Sequence, residues 1–182
     1  DYFYLDLSAR NDWSSTLNSE NNSFFYPSAS ASFIASDALG FAGNTVRYLK
    51  FRGSWAQAGS SGNPYQLTGT YSLDQFSHGG IPMASFTSVI PDNNLKNELT
   101  TSIEFGSDLE LWGGRLGLGF TLYQASTEDQ ILDVPIAPSS LFNVMRINAG
   151  EIRNRGIELS LNVTPIKTAS GFTWKTTFNF NK

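Results

Sequence analysis

Apolar and polar residues alternate with a period of two along seven stretches of the chain, and the connections between those stretches run long, then short. In residues 157–163 the positions Ile157, Leu159, Leu161 and Val163 are apolar, and Glu158, Ser160 and Asn162 between them are polar. An extended strand with that pattern has one oily face and one wet face. The pattern predicts strands over residues 2–10, 24–36, 47–58, 99–112, 115–127, 151–164 and 172–182. Spans of about nine to fourteen residues exceed the usual five or six of soluble sheets and suit the roughly 9 to 11 residues of a tilted membrane-crossing strand. The expected class is all-β: an antiparallel transmembrane β-barrel, of which residues 1–182 form one part.

The sharpest hairpin joins residues 99–112 to 115–127 through Gly113-Gly114, a dipeptide that accepts the positive φ of a tight turn. Pairing Trp112 with Arg115 places Leu111 by Leu116, Leu109 by Leu118 and Ser107 by Phe120 on the apolar face. On the polar face Glu110 then meets Gly117 and Asp108 meets Gly119, so two carboxylates stand opposite residues without side chains. If the third strand pairs with the fourth, Lys50 and Arg52 point to the same side. The expectation is a lumenal charge ladder in which Lys50 and Arg52 neutralise Asp108 and Glu110.

Residues 59–98 form the longest connection, rich in Gly, Ser, Asn and Pro. Compact soluble domains seldom keep structureless loops beyond about 12 to 15 residues unless these are functional. Tyr65, Tyr71, Phe76, His78 and Phe86 lie in it, and Trp13 lies in the first connection; such aromatics can stack on sugars or peptides, or serve as interfacial anchors. Residues 128–149 are expected to be strand extension beyond the membrane plus loop.

Charged residues make up 15% of the chain, against about 25% in ordinary domains, while aromatics reach 14%. Polarity is therefore carried mainly by Ser, Thr and Asn. A net charge of −4 without any basic stripe argues against nucleic acid as a partner. Cysteine is absent, which removes thiolate metal sites and disulfides. No apolar run is long enough for a membrane-spanning helix. The pattern begins and ends inside strands, so a segment of something longer is expected.

Catalytic chemistry finds little support. His78, the one histidine, sits beside Gly79-Gly80 with no HExxH and no nucleophile elbow around it, and reads as an exposed loop residue. The carboxylate sets Glu128-Asp129 and Asp108/Glu110 read as charge on a wet face rather than as a glycosidase pair. No enzyme activity, cofactor or metal is expected.

The run NAGEIRNRGIELSLNVTP from Asn148 closely resembles the strand-and-turn signature of the SusC/RagA family of TonB-linked outer-membrane transporters. So do YLDLSARNDWSSTL from Tyr4, FYPSASASF from Phe25, LKFRGSWAQAG from Leu49, and the long stretch LKNELTTSIEFGSDLELWGGRLGLGFTLYQASTEDQIL from Leu95. They cover most of the chain in the family's order; Asn97 stands where the family often has Pro. The resemblance implies a barrel of the 22-stranded, plugged type in the bacterial outer membrane. It implies energy delivered by the TonB complex through a region outside this chain, a SusD-like surface lipoprotein as partner, and an oligosaccharide or peptide as cargo. Residues 1–182 would supply barrel wall and outer loops, without the plug, the TonB-contacting segment or the closing strand. The competing reading is a soluble carbohydrate-binding β-sandwich, which also shows period-two strands and exposed aromatics.

Overall fold

The structure is a computed structural model that describes residues 1–182. Its strands are β1 (Phe3–Trp13), β2 (Ser23–Ile34), β3 (Val46–Ser60), β4 (Tyr71–His78), β5 (Ile81–Phe86), β6 (Val89–Ile90), β7 (Glu98–Leu111), β8 (Leu116–Glu128), β9 (Ile131–Pro135), β10 (Val144–Asn148), β11 (Glu151–Lys167) and β12 (Thr173–Asn181). Seven of them form one sheet in the order β1-β2-β3-β7-β8-β11-β12, with every neighbouring pair antiparallel. These are the seven strands that the alternation predicts.

Register carries the alternation across the whole sheet. One row runs Phe3, Phe33, Phe51, Ser107, Phe120, Leu159 and Phe180, and the next runs Leu5, Ala31, Gly53, Phe105, Leu122 and Ile157. Since side chains alternate faces, all these residues share one side. On β7 that side is apolar from Leu111 to Ile103 except at Ser107. Eight steps of about 3.4 Å, tilted by about 40°, give a band about 20 Å tall, close to the apolar belt of an outer-membrane barrel. Beyond it the same face turns polar: Gln124, Ser126 and Glu128 on β8 stand opposite Arg155, Arg153 and Glu151 on β11.

Only 7 of the 182 residues are buried, and Phe3, Leu7, Phe105 and Phe178 are among many large apolar side chains left exposed. A soluble sandwich needs a second sheet over such a face, and none packs here, so the sandwich reading fails. The exposed band is instead the surface that lipid covers.

The β7–β8 register is the one the glycine pair dictates: Leu111 opposite Leu116, Leu109 opposite Leu118, Asp108 opposite Gly119. Gly113 and Gly114 take φ of 65° and 83°, and Arg115 N–H donates to Trp112 O at 3.3 Å, the geometry of a type I′ turn.

The connections depart from expectation in three ways. Residues 61–97 are not structureless, because β4 and β5 form a hairpin closed at His78 and Ile81 across Gly79-Gly80, and β6 follows. Residues 129–150 are not an extension of the membrane strands. They hold β9 and β10, which pair with each other, and β10 also pairs in parallel with β6 to complete a separate three-stranded sheet. Finally, β1 runs on to Trp13, which leaves only residues 14–22 before β2, while residues 35–45 between β2 and β3 include a helical turn, Ala35–Ala38. The strict long-short alternation therefore breaks at its first pair. It holds for the four-residue turn 112–115 and for residues 168–172, both at the end opposite the outer sheet.

Candidate functional site

Two surfaces carry polar and aromatic groups in concentration: the polar face of the large sheet and the cluster of connections beyond one end of it.

On the polar face, β3 does pair with β7, and Lys50 stands opposite Asp108. The other members of the expected ladder are placed differently. Arg52 lies opposite Gly106 and Glu110 opposite Tyr48. Gly106 has no Cβ to block it, and the Arg52 guanidinium lies flat over that position, where any Cβ would collide with it. It thereby crosses β7 and donates to Thr121 Oγ1 on β8 at 2.6 Å, with Glu104 Oε1 at 4.0 Å. Glu110 takes Arg47 instead, at 3.7 Å, because Arg47 reaches it past the irregularity between Val46 and Tyr48. Neutralisation of Glu110 by Lys50 or Arg52 is thus corrected to Arg47. Sequence reasoning missed Arg47, Glu104 and Thr121, although Glu104 shares the polar parity of Asp108 and Glu110.

The outer cluster is held together by asparagines. Asn18 Nδ2 donates to Asn93 O at 2.7 Å, and Asn21 Nδ2 to Asn94 O at 3.2 Å, which ties residues 14–22 to the end of the long connection. Asn148 accepts from Lys96 N–H at 2.7 Å and donates to Lys96 O at 3.0 Å and to Asp129 O at 2.7 Å. Glu98 Oε1 accepts from Ile131 N–H at 2.9 Å. Under these ties Leu17, Phe24 and Leu95 form the one small core, flanked by Tyr26, Leu67 and Ile131.

Across the three-stranded sheet Arg146 grips Asp133 with two hydrogen bonds of 2.6 and 2.8 Å. The Arg146 guanidinium holds the Asp133 carboxyl below its ordinary range.

Tyr71 and Phe86 face each other at the base of the β4–β5 hairpin, with ring centroids 4.9 Å apart, and Phe142 meets Phe86 edge-on at 6.2 Å. Phe76, at 83% exposure, and His78 sit towards the hairpin tip, and Tyr65 stands alone at 84% with φ of 64°. Trp13 ends β1 opposite Ser23, away from the other aromatics. The structure therefore brings together Tyr71 and Phe86 with Phe142, and leaves Tyr65, Phe76, His78 and Trp13 dispersed. No cluster of three or more His, Asp or Glu side chains capable of holding a metal is present.

A polar-walled, lipid-faced sheet with a braced outer loop cluster matches, over residues 1–182, the family model described as TonB dependent receptor-like, beta-barrel. The chain belongs to that family. It is 34% identical over 181 residues to TonB-dependent receptor P26 of Formosa agariphila, covering 97% of this chain and 18% of that protein. TonB-dependent receptor SusC of Bacteroides thetaiotaomicron is 30% identical over 143 residues, covering 75% of this chain and 14% of its own length. Among solved structures, the RagAB peptide transporter superposes with a TM-score of 0.85 at 25% identity, covering 99% of this chain and 20% of that chain. The chain thus spans about a fifth of the length of the relatives it matches. As a SusC-like TonB-dependent receptor barrel segment, its seven long strands lie in the outer membrane.

Proposed function

We propose that residues 1–182 form wall and outer loops of a TonB-dependent importer of oligosaccharides or peptides. The plug, the TonB-contacting region and the closing strand belong to other parts of a longer polypeptide. A SusD-like surface lipoprotein is the partner at the outer face. The barrel makes and breaks no bonds; its work is to hold a path open through the bilayer and to present loops at its mouth. Relatives named as receptors and as a peptide transporter support this reading, and both cargo classes remain within it.

The observation that carries it is the division of the outer assembly. Residues 14–22, 93–97 and 129–150 are tied to one another, and through Glu98 to β7, by side-chain hydrogen bonds, and they meet at one small core. The β4–β5 hairpin instead projects with Leu73, Phe76 and Ile81 at 81%, 83% and 69% exposure. Apolar residues presented on a hairpin at a channel mouth suit contact with a partner or cargo.

The test exploits the hairpin's closed base. Thr87 N–H already donates to Thr70 O at 3.0 Å, so residues 71–86 can be replaced by a Gly-Asn turn without moving the flanking chain. In the full-length protein this replacement is expected to leave barrel assembly intact while reducing both labelled-ligand uptake and lipoprotein co-purification. Unchanged uptake and unchanged co-purification would remove the hairpin from the proposal.

A further inference from the structure

Residues 136–143 close the β9–β10 hairpin, whose last pair is Pro135 opposite Val144. The loop exceeds the roughly two to five residues usual in a hairpin, yet hydrogen bonds fix it at almost every step. Ile136 N–H donates to Asn143 O at 3.0 Å, Ser140 N–H to Ala137 O at 3.2 Å and Leu141 N–H to Pro138 O at 3.0 Å. The Ser140 hydroxyl donates to Ala137 O at 3.0 Å or to Phe142 O at 3.2 Å, and accepts from Phe142 N–H at 3.4 Å. Asn143 N–H donates to Ser88 O at 2.9 Å, which fastens the loop to the connection between β5 and β6, and Phe142 packs edge-on against Phe86.

Within this frame Leu141 is turned out. At 92% exposure it is the most exposed large apolar side chain of the chain, and its φ of 68° is left-handed, a conformation that leucine seldom adopts. Strained backbone of this kind persists where its surroundings hold it, and such positions cluster at binding elements. A leucine held outward by its own loop is also pre-ordered, so that seating it in a pocket costs little further entropy.

Shape and chemistry select what covers it. The side chain is convex, so the covering surface must be concave, whereas a cargo molecule would need a recess in the receptor itself. An isobutyl group offers a sugar neither a hydrogen-bond partner nor an aromatic face, and residues 136–143 carry no charge. Bilayer lipid is not the occupant either, because β9 begins beyond the polar rows of Gln124, Ser126 and Glu128 with Arg155, Arg153 and Glu151. An apolar pocket on a folded protein is what fits. Given the lipoprotein partnership proposed above, we infer that Leu141 is the anchor of that contact, seated in an apolar pocket of the lipoprotein and presented by the rigid 136–143 loop. The β4–β5 hairpin adds contact area beside it through Phe86 and Phe142.

The test uses the full-length protein, isolated from its native outer membrane with the SusD-like lipoprotein that co-purifies with it; the two are separated and the purified lipoprotein is titrated back. Leu141→Asn removes the apolar group while suiting left-handed backbone, so assembly and heat-modifiable mobility are expected to be unchanged. Lipoprotein binding is expected to weaken about 10- to 150-fold, the scale of one fully buried leucine. Leu141→Met, which keeps an apolar side chain of similar volume, is expected to retain binding. Equal Kd for wild type and Leu141→Asn overturns the inference. Leu141→Cys in the lipoprotein-free receptor is expected to react with a membrane-impermeant maleimide and to be protected once the lipoprotein is bound. No reaction in the free receptor would mean that the longer polypeptide itself covers the loop, and overturns the inference; equal reaction with and without lipoprotein does the same. A Leu141→Asn receptor that loses affinity for labelled cargo but keeps its Kd for the lipoprotein assigns the side chain to cargo and is equally fatal. Absence of any lipoprotein from the wild-type preparation removes the proposed pairing as a whole, whereas intact pairing that is indifferent to Leu141 removes the anchor alone.

Discussion

An arginine moved along the outward positions of β8 should trace the thickness of the bilayer. Leu116, Leu118, Phe120, Leu122 and Gln124 all face outward, opposite Leu111, Leu109, Ser107, Phe105 and Ile103 of β7. With a rise of about 3.4 Å per residue and a tilt of about 40°, each two-residue step changes depth by about 5 Å. Phe120 is the middle of the five, so Leu116 and Gln124 lie about 10 Å to either side. Arginine at the midplane costs about 2–4 kcal/mol and near the interfaces about 0–1 kcal/mol. Phe120→Arg should thus reduce the assembly equilibrium about 30- to 700-fold, Leu118→Arg by an intermediate factor, and Gln124→Arg hardly at all. Gly119→Ser is the control on the opposite face. Its new Cβ meets Ser160 Oγ, a side chain free to rotate, and Asp108 Oδ1 at an ordinary 3.6 Å, so the expected cost is within about 0.5 kcal/mol. The folded fraction of full-length protein in the outer membrane, read by heat-modifiable mobility and surface labelling, measures the series. A profile flat from Leu116 to Gln124, or a Gly119→Ser loss equal to that of Phe120→Arg, refutes the assignment of faces.

Two further outcomes concern the outer assembly. Asn148→Ala removes three hydrogen bonds that brace residues 96 and 129; these are solvent-exposed, so the local loss should be about 1–2 kcal/mol. Faster amide exchange at Lys96 with unchanged exchange in β7 and β8 is the expected signature, and unaltered protection at Lys96 would contradict it. The Asp133 carboxyl is held below its ordinary range chiefly by the hydrogen bonds from Arg146. A depressed carboxylate contributes stability that is present above its unfolded pKa and is lost as pH falls through its folded one. The β9–β10 pair should therefore loosen on acidification below the usual aspartate range, by the roughly 0.2–1 kcal/mol of a half-exposed ion pair. A spin label on Val134 should report that loosening in the native protein and no acid dependence in Asp133→Asn; identical acid profiles in the two would count against the pair.

What was legible in the residues follows how local each determinant is. The period of two and the Gly113-Gly114 turn fix β7, β8 and every cross-strand partner between them, because a one-residue slip would exchange the lipid face for the wet one. The β4–β5 hairpin had its own turn signal, Gly79-Gly80, yet the irregularity between Leu73 and Ser77 breaks the alternation that would have revealed the strands. The β6–β10 pair joins Val89 to Val144, and nothing in either two- to five-residue segment names the other. Register also places Cα atoms better than it places long side chains. Alternation places Arg52 on the polar face, but its guanidinium settles over Gly106 and reaches Thr121, a choice made by the absence of one Cβ rather than by charge order along β3.

The same distinction between wall and loops bears on how an outer platform can stay fixed on a sheet with almost no core. Its buried set is three side chains, Leu17, Phe24 and Leu95, too few to offset the ordering of three connections by apolar burial alone. Fixation must therefore come from hydrogen bonds that reach the wall: Glu98, at the start of β7, grips Ile131, and Asn148, at the end of β10 just before β11, grips Lys96 and Asp129. A hairpin lacking such grips, as β4–β5 does beyond its Thr70–Thr87 base and its Phe86–Phe142 contact, keeps only its own ladder, and an isolated two-stranded ladder is marginal in water. Stability at the barrel mouth thus falls from the strapped connections to the projecting hairpin, and the least stable element is the one that carries exposed Leu73, Phe76 and Ile81, where binding would supply the missing second surface.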